Sequence, residues 1–171
     1  RMPVYAATSR LLSPEEHAQQ AVELHQMGFR AMKLRLHRQN PQEDLQVVKA
    51  VRIACPEMKL FVDCNQNNRS IGYNWWSADT AEYMAEDKLG VSILEEPLGR
   101  FRMGNLKKMA DRLNILVAGG EHNSNIYEFR ASMDSYDIIQ PDPVLGDIGI
   151  TGIRKLGIAS EFADKQIMPH I

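Results

Sequence analysis

Residues 58–66 read MKLFVDCNQ. The segment KLFVD has the look of a buried strand, yet it finishes on an aspartate, a cysteine and an asparagine. A strand made only for a dry core has no use for such an end. The same ending recurs in VSILEEP (91–97) and in ILVAGGEHN (115–123). Side chains alternate faces along a strand, so parity decides which of these groups can meet. Asp63 and Asn65 share a face, with Cys64 opposite. Glu95 keeps the parity of Val91 and Ile93, whereas Glu96 falls on the other side, just before Pro97.

Outward from this stretch the chain alternates between two kinds of segment. PVYAATS (3–9) reads as a short first strand, and Ser13-Pro14-Glu15-Glu16 opens a helix with an N-cap, a proline at N1 and a capping-box glutamate. That helix carries Ala18, Ala21 and Val22 on one face and stops at Gly28. FRAMKLRLH (29–37) is the second strand. Asn40-Pro41-Gln42-Glu43 repeats the capping arrangement ahead of a helix whose apolar face is Val47, Val48 and Val51. KLFVD is the third strand, with a helix from about Ser77 to Leu89 after it. VSILE, ILVAG, DIIQP and QIMPH follow as strands, with helices near 104–113, 124–133 and 149–163. Strands alternating with crossover helices imply a mostly parallel sheet. An open dinucleotide-binding sheet carries a glycine-rich turn after its first strand. Here that turn is ATSRLLSPEE (7–16), without glycine, so the expected fold is an α/β, TIM-type (β/α) barrel. The whole chain, 1–171, is taken as one partial barrel catalytic domain. A complete barrel takes roughly 250 residues, so the expectation is a truncated one, strands 1 to 7 without the last.

Composition narrows the function classes. The 171 residues are 44% apolar and 25% charged, with a formal net charge of −2, which supplies no basic field for nucleic acid or an anionic membrane. No apolar run is long enough for a bilayer span, and no signal-peptide pattern opens the chain. Cys55 and Cys64 form no disulfide framework and are expected as buried, reduced thiols, which points to a cytoplasmic protein.

Every strand from the second to the seventh ends on an ionisable residue, one per βα unit. In the second, Lys33, Arg35 and His37 share one face and Met32, Leu34 and Leu36 the other. The apolar set suits the helix side, so the basic trio is expected to point inward. Glu121, Asp142 and His170 end the fifth, sixth and seventh strands. Barrel enzymes place their chemistry at this C-terminal mouth. Singly, a carboxylate after a strand is also what an N-cap or a helix dipole favours, and a lone histidine is more often a structural hydrogen-bonding group. The shared position of all six makes the case. His17, His25, Glu15, Glu16 and Asp44 are assigned to solvated helix faces, and Trp75 and Trp76 to loop packing.

Carboxylates converging on one point repel unless a cation lies among them. Oxygen-only ligation selects a hard ion, with Mg²⁺ the commonest that keeps positions open for substrate. No Cys/His spacing suits zinc. Asp142 beside His170 can orient it and raise its basicity. A metal for developing negative charge, flanked by proton-transfer groups, suits removal of a proton α to a carboxylate.

KLRLH, VDCNQ, LEEP, GGEHN, IIQPDPVLGDIGITG and MPH, in that order, resemble the enolase superfamily, and within it the mandelate racemase group, over essentially the whole chain. The superfamily's pairing of a Lys or His base with Mg²⁺ is a known pattern. The resemblance implies that Asp63, Glu95 and Glu121 hold Mg²⁺ and that Asp142 and His170 act as one acid/base dyad. Lys33 matches the first lysine of a Lys-x-Lys motif and Asn65 a substrate-contacting position, with His37 and His122 further substrate-binding candidates. Arg35 stands where many relatives have a second lysine. Arginine is a poor base but binds carboxylates bidentately, so a two-base racemase is less well served than a dehydratase. The activity implied is therefore dehydration of an acid sugar. The alternatives are a racemase or epimerase of an α-hydroxy acid, and a non-catalytic metal-binding barrel fragment. The expected partner is a small carboxylate, with neither nucleic acid nor membrane. The family's N-terminal capping domain and eighth strand are absent from the segment, and the full-length chain is expected to form a homo-oligomer.

Overall fold

The computed structural model describes residues 3–68, 76–85 and 89–170. Its strands are β1 (Ala6–Ala7), β2 (Ala31–Arg35), β3 (Lys59–Asp63), β4 (Val91–Glu95), β5 (Leu116–Gly119), β6 (Ile138–Ile139) and β7 (Gln166–Ile167). The helices between them are α1 (Pro14–Gln26), α2 (Pro41–Ala54), α3 (Ala78–Met84), α4 (Met103–Arg112), α5 (Ile126–Ser132) and α6 (Gly149–Phe162). All pairings are parallel and the order is β1-β2-β3-β4-β5-β6-β7. A doubly wound sheet reverses its strand order midway. This one never does, so right-handed crossovers set every helix on one face and leave the other free to become a barrel interior.

Two apolar clusters lie on opposite sides of the sheet. The larger, between sheet and helices, contains Met32, Leu34, Leu36, Leu60, Val62, Leu94 and Val117, joined by Ala21, Val47, Val48 and Val51 from α1 and α2. The smaller contains Ile93, Ala118 and Ile138, with Phe61, Leu116 and Met168 packed on it. It floors the inner face, below the level at which charge begins. The apolar set expected to face outward from the second strand, Met32, Leu34 and Leu36, is found there.

Local chemistry explains the helix starts. Ser13 Oγ accepts from the N–H of Glu16 at 3.2 Å, and Glu16 Oε2 accepts from the N–H of Ser13 at 2.8 Å, a reciprocal capping box. Asn40 Oδ1 accepts from the Gln42 N–H at 3.1 Å ahead of Pro41.

Two expectations fail here. His17 and Asp44 do not lie on solvated faces; both are fully buried. The Leu12 N–H donates to His17 Nε2 at 3.3 Å, and Arg38 contributes its N–H and guanidinium to Asp44 at 2.9 and 2.5 Å. Their partners come from loops beyond their own helices, where helical periodicity carries no signal. Trp76 is buried, with its backbone N–H donating to Gln66 Oε1 at 2.9 Å, as loop packing demands. Trp75 lies outside the described residues. The helix expected to Leu89 is observed as α3, ending at Met84, and residues 86–88 are outside the described set. Among the described residues no helix is long and apolar enough to cross a membrane. Both cysteines are free and buried.

Candidate active site

Strand register places Arg35 beside Asp63, and Asp63 beside Glu95, at the C-terminal ends of β2, β3 and β4. Lys33 lies one step lower on the same face. Its Nζ is 2.7 Å from Glu95 Oε1 and 3.6 Å from Asp63 Oδ2, while Arg35 Nε is 3.4 Å from Asp63 Oδ2. Lys33, Asp63 and Glu95 are all buried. Burial alone would lower the Lys33 pKa, but the charges of Glu95 and Asp63 outweigh it and hold the ammonium protonated. The Glu95 carboxyl is pushed up by burial and by Asp63, since one ammonium serves two carboxylates. Gln140 Nε2 donates to Glu95 Oε2 at 2.9 Å.

At the end of β4 the alternation expected from sequence breaks. Glu96 has a φ of +44°, and it joins Glu95 in the buried mouth rather than pointing away. A left-handed residue inserts a turn where strand geometry would have continued. Asn67 Nδ2 donates to Glu96 Oε1 at 2.6 Å, and the other oxygen has no hydrogen-bond partner. Burial, then the charge of Glu121, pushes the Glu96 carboxyl up to about 8.

The GGE sequence after β5 follows from packing. A Cβ on Gly119 would lie 2.6 Å from the Tyr136 ring, and Gly120 has a φ of +110°. This turn delivers Glu121 into the mouth, 3% exposed. Its Oε1 is 3.2 Å from His122 Nε2 and its Oε2 is 3.1 Å from His170 Nε2. Both approaches are near enough for ion pairing, but Oε2 and His122 Nε2 accept or make no well-directed hydrogen bond. Burial would raise the Glu121 carboxyl, and the two histidines pull it below its ordinary value.

From the opposite side, His170 Nδ1 lies 2.8 Å from Asp142 Oδ2. The Val144 and Leu145 N–H groups donate to Asp142 Oδ1 at 2.6 and 2.7 Å. Burial acts against the charge of Asp142, but these three contacts hold the carboxyl below its usual range. Asp142, His170 and Glu121 thus form one continuous chain across the mouth.

Asn65 is buried with a φ of +49°, its N–H donating to Asp63 Oδ1 at 3.0 Å. His122 is half-buried beside Glu121. His37 lies past β2, half-buried, within electrostatic reach of Asp44. Sequence reasoning missed Gln140 and Asn67. Gln140 shares parity with Asp142 in IIQPD and was findable on that ground. Asn67 sits in a 3-10 turn, Gln66–Asn68, where no periodicity applies.

Among the described residues, two sets bring three ligand atoms within 4.8 Å of one another: Glu95, Glu121 and His170, and Glu96, Glu121 and His122. Asp63 is in neither. The Lys33 ammonium sits between it and Glu95, where a cation is wanted. The donors fit a hard divalent ion: buried carboxylates on adjacent strands, with oxygens of Glu96 and Glu121 left without hydrogen bonds.

Residues 16–171 match the family model for enolase C-terminal domain-like proteins. The arabinonate dehydratase of Saccharolobus solfataricus is 28% identical over 149 residues, covering 84% of this chain and 38% of that protein. A racemase from Streptomyces coelicolor, solved with bound magnesium, superposes with a TM-score of 0.85 at 26% identity, covering 99% of this chain and 50% of that one. The 3,6-anhydro-D-galactonate cycloisomerase from Zobellia galactanivorans gives 0.84 at 25% identity, with 99% and 46% covered. The chain therefore spans half or less of each relative's length, and it matches part of their barrel domain.

Proposed function

The chain belongs to the enolase C-terminal domain-like family, and from that premise we propose that it carries most of an active site for removing a proton α to a carboxylate, most readily in the dehydration of an acid sugar. One observation carries the reading. Asp142, His170 and Glu121 form a contact chain at the same mouth as Asp63, Glu95 and Lys33.

Asp142 accepts from Nδ1–H of His170, which fixes the ring and leaves Nε2 as the reactive nitrogen. Nε2 lies 3.1 Å from Glu121 Oε2. To take a proton from substrate, Nε2 must first present a lone pair, so Glu121 then needs another positive charge beside it. Asp63, Glu95 and Glu121 are the residues proposed to hold Mg²⁺, which when bound supplies charge against the developing negative charge of the substrate carboxylate. Asp63 would come into play once Lys33 releases it. Lys33, held protonated, suits binding and orienting an anionic oxygen better than abstracting a proton, and Arg35 suits a carboxylate clamp. One competent base favours dehydration over two-base racemisation: His170 removes the α-proton and can return it to a departing β-hydroxide as water. Asn65, His37 and His122 are proposed to contact the substrate. Cytoplasmic residence and homo-oligomeric assembly belong to the same proposal.

Incubating the intact protein with a panel of acid sugars, Mg²⁺ and D₂O tests this. A 2-keto-3-deoxy acid as product is the expected result. A product of unchanged composition, inverted at the α-carbon and carrying solvent deuterium, would replace dehydratase by racemase. Neither α-exchange nor product with any acid of the panel would overturn the reading.

A further inference from the structure

Glu121 faces two ways, and the chemistry above uses one of them. Its Oε2 lies toward His170, in the set that includes Glu95, while its Oε1 lies 3.2 Å from His122 Nε2, in the set that includes Glu96. On that second side Glu96 is fully buried and its Oε2 has no hydrogen-bond partner. Among the described residues no ion pair reaches Glu96. The nearby guanidinium of Arg100 is engaged with the carbonyl of His122 and with Glu128. Asn67 occupies Oε1 of the buried Glu96, which leaves Oε2, beside Glu121, available to a ligand. His122 Nε2 meets Glu121 Oε1 alone, and its side chain is 27% exposed, which gives solvent a path to the cluster.

We propose that Glu96, Glu121 Oε1 and His122 Nε2 form a second divalent-cation site. Two carboxylate oxygens and an imidazole nitrogen make a mixed donor set that suits Mn²⁺, Co²⁺ or Zn²⁺ better than Mg²⁺. Three protein ligands leave positions open for water or for a substrate hydroxyl. The site stands on its own residues; that Glu121 bridges it to a first ion rests on the functional reading above.

The test is titration of the chelator-stripped intact protein with Mn²⁺, followed by electron paramagnetic resonance. Wild type should bind two Mn²⁺ per chain and show spin coupling between them. His122→Asn and Glu96→Gln should each bind one and lose the coupling, with unchanged circular dichroism confirming the fold. Glu95→Gln should also bind one, whose signal carries nitrogen coupling from His122, and the double variant with His122→Asn should bind none. Two ions retained in both His122→Asn and Glu96→Gln would overturn the proposal, as would a single wild-type ion lost in Glu95→Gln and indifferent to His122. A single wild-type ion lost instead in His122→Asn would uphold this site and sink the first.

Discussion

The two faces of β2, β3 and β4 are made from alternate residues of the same strands, and they solve opposite problems. Outward, Met32, Leu34, Leu60, Val62 and Leu94 are 0% exposed and belong to one apolar cluster. That face is complete as it stands. Inward, above a floor of Phe61, Ile93 and Leu116, Asp63 and Glu95 share Lys33 and Arg35, and Glu96 and Glu121 cluster beside His122. That face is short of positive charge. The contrast teaches where stability and chemistry are divided: one side of each strand holds the fold together, and the other holds groups that repel until a cation joins them.

The largest expected effect falls on the inner face. His170→Asn should lower turnover by roughly 10²–10⁴-fold, the usual worth of a positioned acid/base. Mg²⁺ affinity by calorimetry and thermal stability should stay near wild type. A His170→Asn enzyme of normal turnover would leave the inner face without its proposed chemistry.

Lys33→Met is next. Removing the ammonium leaves Asp63 and Glu95 buried side by side, and breaking a buried pair in this way costs about 3–5 kcal/mol. Measured in chelator, the urea midpoint should drop accordingly, and saturating Mg²⁺ should recover much of the loss. Leu34→Ala, one residue along the same strand, should cost about 2–5 kcal/mol, and Mg²⁺ should recover none of it. If added cation rescued both variants equally, or neither, the two faces would not differ in the way argued.

The legibility of the site follows the same division. Parity along β2 and β3 showed Lys33, Arg35 and Asp63 inward and Leu34 outward, because strand alternation is a local rule that tertiary packing had no reason to override. It misassigned Glu96, because a single left-handed residue at +44° resets the alternation, and nothing in EEP announces which glutamate carries it. It was silent on Asn67, which reaches Glu96 from a turn. The ordered set of strand-end motifs located the family and hence the barrel. His17 and Asp44 were misplaced for the complementary reason: on α1 and α2 their helical positions look ordinary, and the partners that bury them, Leu12 and Arg38, are contributed by loops.

His17 gives the smallest effect and extends the comparison to the helical shell. Its Nε2 accepts the Leu12 N–H, so the folded state holds the ring neutral, and burial followed by the nearby charge of Arg38 lowers its pKa below 6.5. A histidine depressed in this way binds a proton more readily when unfolded. Its contribution to stability is therefore present above pH 6.5 and is lost as pH falls through that value toward the folded pKa. His17→Gln keeps a hydrogen-bond acceptor but does not titrate. Between pH 7.5 and pH 5, wild type should lose more stability than His17→Gln, with urea midpoints converging or crossing at the acid end. Because inner-face groups titrate alike in both proteins, the difference isolates the outer shell. Parallel pH profiles would mean that His17 binds its proton equally well folded and unfolded, whereas wild type gaining stability over His17→Gln as pH falls would mean a ring protonated in the folded state.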